Sequence, residues 1–265
     1  MIDVAHVLRR DADDSEKGLS LIELIVAMMV FSIIIVLVGT LYVTSQKVVQ
    51  SSSVTSKDAG VASNVMNELT NVLRYGTVLP DPSNAQNTVA AFVSATPSSL
   101  VLYTYADSTG GTDSTATPKP VMVGFFLGAD GTVTEKRWKF GATTPTAATV
   151  TSVAPNSTIK LGGPIIAPTT ASPLAGVCQD PNATDAPVAP AATAGPNDVP
   201  PLFTYCDSNS PIAFASGAIP SASLQDISSV SVNISMNTGS STGSRGIVLA
   251  GTIDMLNLGG KSGGS

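Results

Sequence analysis

Charge is what this chain has least of. Only 12% of its 265 residues are Asp, Glu, Lys or Arg, the formal net charge is −6, and no run of Lys or Arg occurs anywhere. Direct nucleic-acid binding through a basic surface that neutralises phosphates is therefore not expected. Aromatic residues are also sparse, with one Trp among the 5% that are Phe, Trp or Tyr, and there is a single histidine, His6. Cysteine is limited to Cys178 and Cys206. The length allows one folded domain with additions at its start, and is too short for several large domains.

The scarcity of charge becomes complete in one place. From Leu19 to Val43 the only charged side chain is Glu23. At ~1.5 Å per helical residue this stretch reaches roughly 37 Å, enough to cross a bilayer core with tilt. A carboxylate near the start of such a helix is penalised, by about 2.5 to 3.5 kcal/mol at the bilayer centre and less near the headgroups. Glu23 therefore needs a partner. Ser20 and Glu23 have the S-x-x-E spacing of a capping box, which supplies one local answer.

The residues Lys17-Gly18-Leu19-Ser20-Leu21-Ile22-Glu23, followed by an unbroken apolar helix, resemble the type III signal of type IV pilins and type II secretion pseudopilins. The resemblance joins a short charged leader, a glycine at the junction and a glutamate at the fifth position after it. It implies that a prepilin peptidase cuts between Gly18 and Leu19 and methylates the new amino terminus at Leu19. It also implies that Glu23 pairs with the charged terminus of a neighbouring subunit as helices pack. In an ordinary secretory signal the apolar core leaves with the leader, whereas here it would begin the mature chain. The leader, residues 1–18, holds more acid (Asp3, Asp11, Asp13, Asp14, Glu16) than many in this family, and Leu19 stands where Phe or Met is common. Its removal would leave 10 basic against 14 acidic residues.

The partners implied are other pilin or pseudopilin subunits, the peptidase and methyltransferase, an assembly platform protein and membrane lipid. The expected location is the cytoplasmic membrane, single-pass with the N-terminus inside, and then a surface filament. Arg9, Arg10 and Lys17 before the helix against Lys47 and Lys57 after it favour the same orientation by a small margin. Because His6 falls in the leader, the mature chain would have no Ser/His/Asp or Cys/His centre and no histidine-based metal site. Asp107–Asp113 lacks the acidic spacing of a calcium loop and reads as ordinary loop. Neither an enzyme nor a cofactor is expected.

Past Val43 the apolar residues Val54, Val61, Val65, Leu69, Val72 and Leu73 recur at helical spacing. Arg74 suits a helix C-terminus, Gly76 can take a left-handed terminating conformation, and Pro80 and Pro82 forbid continuation. A single helix from about Leu19 to about Tyr75 is predicted, with Gly39 and Gly60 as points where it could bend. Ser99–Ala106 and Pro120–Leu127 read as strands, and Gly128–Gly131 turns the second into another at Thr132–Phe140. Ile227–Met236 alternates apolar and polar residues, and Arg245–Leu256 is its expected partner. Gly141–Pro201, rich in Ala, Pro, Thr and Gly, reads mostly as loop, with candidate short strands at Ile159–Leu161 and Pro164–Ile166.

The expectation is an α+β fold, in which an antiparallel sheet packs on the second half of the long helix. Its segments are a leader at 1–18, a membrane or filament-core helix at 19–43, an amphipathic continuation at 44–75, a β-rich extracytoplasmic domain at 76–258 and a tail at 259–265. Cys178 and Cys206 would share the extracytoplasmic side, where a disulfide is the expected state over two buried thiols. In the chain-entropy account a loop of this length contributes about 3 to 4 kcal/mol. The order of segments and the size are similar to J-class minor pseudopilins and their minor pilin relatives. The competing class is a single-pass membrane-anchored binding protein with an uncleaved helix, in which Glu23 only caps.

Overall fold

The computed structural model describes residues 20–81, 84–106, 120–139, 146–169, 178, 199–207, 210–236 and 247–255. The leader, Gly18, Leu19, Asp107–Asp113, most of the Pro-rich segment before Pro201 and the tail lie outside these residues. A single helix, α1, spans Leu21–Arg74. By its internal contacts the chain divides into residues 1–52 and 53–265.

In the first unit every described side chain from Ser20 onward is exposed. Several of its polar groups bond within the helix. Ser32 Oγ donates to the Met29 carbonyl at 2.7 Å, Thr40 Oγ1 to Leu37 at 2.8 Å and Thr44 Oγ1 to Thr40 at 2.8 Å. The helix continues through Gly39 and Gly60, where an added β-carbon would meet open space, so neither position interrupts it.

In the second unit α1 turns one face inward, burying Ala62, Val65, Leu69, Val72 and Leu73 completely. The expected stripe holds from Val65 onward, while Val61 is half-buried and Val54 is exposed. The helix ends at Arg74, before Gly76 as expected, but Gly76 does not take the left-handed conformation. It is not among the described glycines with positive φ. Instead it is buried beside the Met255 and Leu102 side chains, and its N–H donates to the Leu73 carbonyl at 3.0 Å, closing the last turn.

The strands are β1 (Leu79–Asp81), β2 (Asn84–Val89), β3 (Phe92–Ala95), β4 (Ser99–Thr104), β5 (Val121–Leu127), β6 (Val133–Lys139), β7 (Ser157–Gly162), β8 (Phe203–Asp207), β9 (Ser210–Pro211), β10 (Ser229–Ser235) and β11 (Val248–Asp254). A short helix α2 covers Ala147–Ser152 and a 3-10 helix Ser221–Asp226. All pairings are antiparallel, but they form two main sheets where one was expected: β3-β4-β5-β6-β7 and β11-β10-β8-β9, with β1-β2 as a separate pair.

Both expected hairpins are present. The β5-β6 turn places Gly131 at φ 74°, with the Gly128 N–H donating to Thr132 and the Gly131 N–H to Gly128, each at 2.9 Å. β10 and β11 pair in unbroken register from Ser229↔Asp254 to Ser235↔Val248. The segment expected to be mostly loop contains α2 and β7. Of its candidate strands, Ile159–Leu161 lies in β7, whereas Pro164–Ile166 supplies only a bridge from Ile165 to Met236.

Two apolar layers explain the strand compositions. The larger joins the α1 face to Leu100, Leu102, Val123, Phe125 and Val133 of one sheet and to Phe203, Tyr205, Val230, Val232 and Ile234 of the other. The smaller lies on the opposite face of the five-stranded sheet, where Val101, Tyr103, Met122 and Trp138 pack with Leu79. β4 is buried on both faces, which is why its sequence is a near-continuous apolar run instead of an alternation.

Candidate assembly site

The site begins where α1 begins. The Glu23 N–H donates to the Ser20 carbonyl at 2.9 Å and the Leu24 N–H to the same oxygen at 3.1 Å, so the first helical turn closes on the Ser20 backbone. Glu23 sits in that turn, where the unsatisfied N–H groups of a helix start favour a negative charge. Its side chain is exposed.

Around and after it the large apolar side chains from Leu21 to Val43 are between 49% (Ile34) and 77% (Leu21) exposed. A surface of this kind far exceeds the apolar patch that a soluble monomer tolerates, so it must be covered by lipid or by other helices. α1 is long and apolar enough to cross a membrane, with none of its most apolar window buried. The Ser32 and Thr40 hydroxyls bond within the helix, and Glu23 is the one charged side chain among the described residues from Leu21 to Val43.

Of the expected site residues, Ser20 and Glu23 stand together at the start of α1, and Gly18 and Leu19 fall outside the described residues. Cys178 and Cys206 form a disulfide, with Cα atoms 5.5 Å apart, and both are buried. This bridge ties position 178 to β8, so the chain is fastened to the four-stranded sheet inside its Pro-rich stretch.

Sequence reasoning missed two polar devices. Arg137 on β6 donates through Nε to Glu135 and through Nη2 to Glu68 of α1 at 3.0 Å, joining helix to sheet. Glu135 is 1% exposed. The signal was present: Glu135 and Arg137 are two apart on one strand and therefore share a face with Val133, which is core. The second device is the Tyr205 hydroxyl, set 3.0 Å from both the Thr96 and the Ser99 carbonyls, a latch between the two main sheets. Burial pushes the Tyr205 phenol well above its ordinary value, and burial also raises Tyr103. Asp130 is held low by hydrogen bonding from Thr132.

Among the described residues no group of three or more His, Cys, Asp or Glu is placed to hold a metal. A cleft of about 710 Å³ opens between Thr96–Ser99, Leu127–Ala129 and Ala167–Thr169. The Thr96 hydroxyl in it bonds to Ser99 and accepts from the Ser98 and Ser99 N–H groups, which makes it a turn stabiliser.

Residues 14–39 match the family described as the prokaryotic N-terminal methylation motif. The match speaks for the N-terminal segment and ends before the β-rich part. No curated protein matches the chain. The prepilin-type methylation motif, the apolar helix that continues from it and the α+β architecture together are consistent with the type IV pilin and pseudopilin family.

Proposed function

We propose that this protein is a subunit, of the minor kind, of a type IV pilus or a type II secretion pseudopilus. A prepilin peptidase removes residues 1–18 by cutting between Gly18 and Leu19, and Leu19 is then N-methylated. Residues 19–43 hold the chain in the cytoplasmic membrane with the N-terminus inside until a platform protein passes it into the filament, where the same residues become core. The β-rich domain, residues 76–258, then stands outside the membrane. The chain itself performs no catalysis; its work is assembly.

The observation that carries this reading is the union of one acid in the first turn with an exposed apolar helix, beginning inside a matched methylation motif. Glu23 is the electrostatic key. Before assembly the helix start holds its charge, and in the filament it pairs with the methylated ammonium of a neighbouring Leu19, since monomethylation retains the positive charge. Because an unpaired carboxylate in an apolar bundle is strongly disfavoured, the pair fixes the axial register of each incoming helix. The size of the chain and its order of segments support a minor subunit over a major one.

The test is the intact mass of the protein purified from membranes. Loss of residues 1–18 with gain of one methyl group supports the reading. A full-length product would overturn it in favour of a membrane-anchored binding protein.

A further inference from the structure

We propose that Tyr42, Gln46 and Lys47 of α1 form a contact with lipid headgroups that fixes how deep the helix sits, with the Lys47 ammonium on a lipid phosphate at the extracytoplasmic face of the membrane. The sequence changes character within a few residues. From Leu21 to Val43 polar side chains occur only singly, as Glu23, Ser32, Thr40 and Tyr42, whereas Thr44, Ser45, Gln46 and Lys47 follow one another. Every side chain in this transition is exposed, Tyr42 by 63%, so no described part of the chain covers the aromatic ring.

The neighbouring hydroxyls and the amide bond locally. Thr40 Oγ1 donates to the Leu37 carbonyl and Thr44 Oγ1 to that of Thr40, each at 2.8 Å, and Gln46 Nε2 donates to Tyr42 Oη at 2.6 Å. The last bond holds the phenol oxygen beside an amide. Tyr42 therefore presents an apolar body with a polar tip, the form that settles at a membrane–water boundary. Lys47 is different. It is the only charged side chain between Glu23 and Lys57, and the positions three and four away on the helix, Val43, Thr44, Gln50 and Ser51, hold no acid. Among the described residues its ammonium makes no ion pair. A lysine stem on a helix leans toward the N-terminus, here over Val43, while its charged head stays at the polar layer. A second copy at the same depth would bring Lys47 toward Lys47, so a like helix does not supply the missing anion. Lipid phosphate does.

The spacings match a bilayer at both ends. At ~1.5 Å per residue Lys47 stands roughly 7 Å beyond Tyr42, against about 5 to 7 Å for one headgroup layer. Tyr42 stands roughly 28 Å beyond Glu23, against about 30 Å for the hydrocarbon core. With Tyr42 at the outer boundary, Glu23 falls at the inner one, among headgroups and water, where its charge costs little. The headgroup contact thus keeps the acid hydrated until the helix leaves the bilayer. The inference rests on the membrane span of the proposed function; which residues set the depth does not follow from that span.

The test uses the full-length protein in sealed right-side-out membrane vesicles, its disulfide intact, with one added cysteine at a time and a membrane-impermeant maleimide. Ile34→Cys, Gly39→Cys and Val43→Cys should stay protected, and Val48→Cys should label at least about tenfold faster than Val43→Cys. Adding Tyr42→Leu and Lys47→Leu together extends the apolar surface toward Val48 and Val49, so the helix should settle about one turn deeper and Val48→Cys should slow about tenfold, whereas Lys47→Arg should leave its rate unchanged. Solid-state NMR of lysine-labelled protein in phospholipid vesicles should show an ammonium-to-phosphorus contact that Lys47→Gln removes. Protection that ends before Gly39 or continues past Val49, native labelling rates in the double variant, or a phosphorus contact that survives Lys47→Gln would each overturn the proposal and leave the span in place. Labelling of Ile34→Cys would instead remove the membrane reading itself.

Discussion

Replacing Arg137 by methionine should destabilise the folded domain far more than any surface charge change. Met retains the aliphatic length of Arg but removes the cation that serves Glu135, which is 1% exposed, and Glu68, whose side chain is 29% exposed. Taking one member from a buried ion pair costs about 3 to 5 kcal/mol, because the remaining charge keeps its desolvation penalty. Typical domains are stable by only about 5 to 15 kcal/mol, so the loss is a large share of the whole. Glu68→Gln touches a pair that water partly screens and should cost no more than about 1 kcal/mol. The decisive comparison is Glu135→Leu with Arg137→Met, in which both buried charges go together; it should recover most of the loss, since apolar replacements of buried pairs are often neutral. Urea unfolding of the oxidised, detergent-solubilised protein reports this through Trp138, the one tryptophan, which is buried on the same strand. If Arg137→Met lies within about 0.5 kcal/mol of the native protein, or if the double variant is as weak as Arg137→Met alone, the electrostatic account of this contact is wrong.

Three further expectations follow from the same structure. Glu23→Gln should leave helix formation and cleavage intact but reduce incorporation into filaments, measured as the ratio of sheared to membrane-bound protein; an unchanged ratio would return Glu23 to a capping role. Tyr205→Phe removes the hydroxyl that reaches Thr96 and Ser99 and should cost about 1 to 3 kcal/mol at neutral pH. Because the folded phenol titrates well above the ordinary 10.0, its contribution is complete below that pH and is lost as pH rises through the folded value, so the native protein should lose stability on the alkaline side more steeply than the variant. Replacing Cys178 and Cys206 by serine should lower stability by about 2 to 5 kcal/mol and expose the segment between them to protease, read by limited proteolysis of the native and substituted proteins.

How much was legible depended on the range of the interaction involved. The helix could be read because its signals are local: a single charge, Glu23, over residues 19–43, the 3–4 spacing that begins at Val65, and prolines past Arg74. The β5-β6 hairpin was legible from Gly128 to Gly131, where Gly131 takes the positive φ that glycine tolerates. β1 to β3 were not, because Leu-Pro-Asp, Asn-Ala-Gln-Asn-Thr-Val and Phe-Val-Ser-Ala carry little strand propensity of their own, and β3 is held by its pairing to β4. Gly76 closes the helix end as expected, its N–H bonding to Leu73, but without the left-handed conformation, and its neighbours Met255 and Leu102 come from far along the chain.

The sequence by itself determined the start of the molecule: a methylation motif, one acid and an apolar helix are properties of consecutive residues, and their meaning needs no distant neighbour. Only the tertiary structure decided that the strands separate into two main sheets, that Arg137 bridges Glu135 to Glu68, and that Tyr205 latches the sheets. Pairing, burial and edge position depend on which segments meet across long separations, and that choice is made by the packing of the whole domain, where no single stretch carries the information.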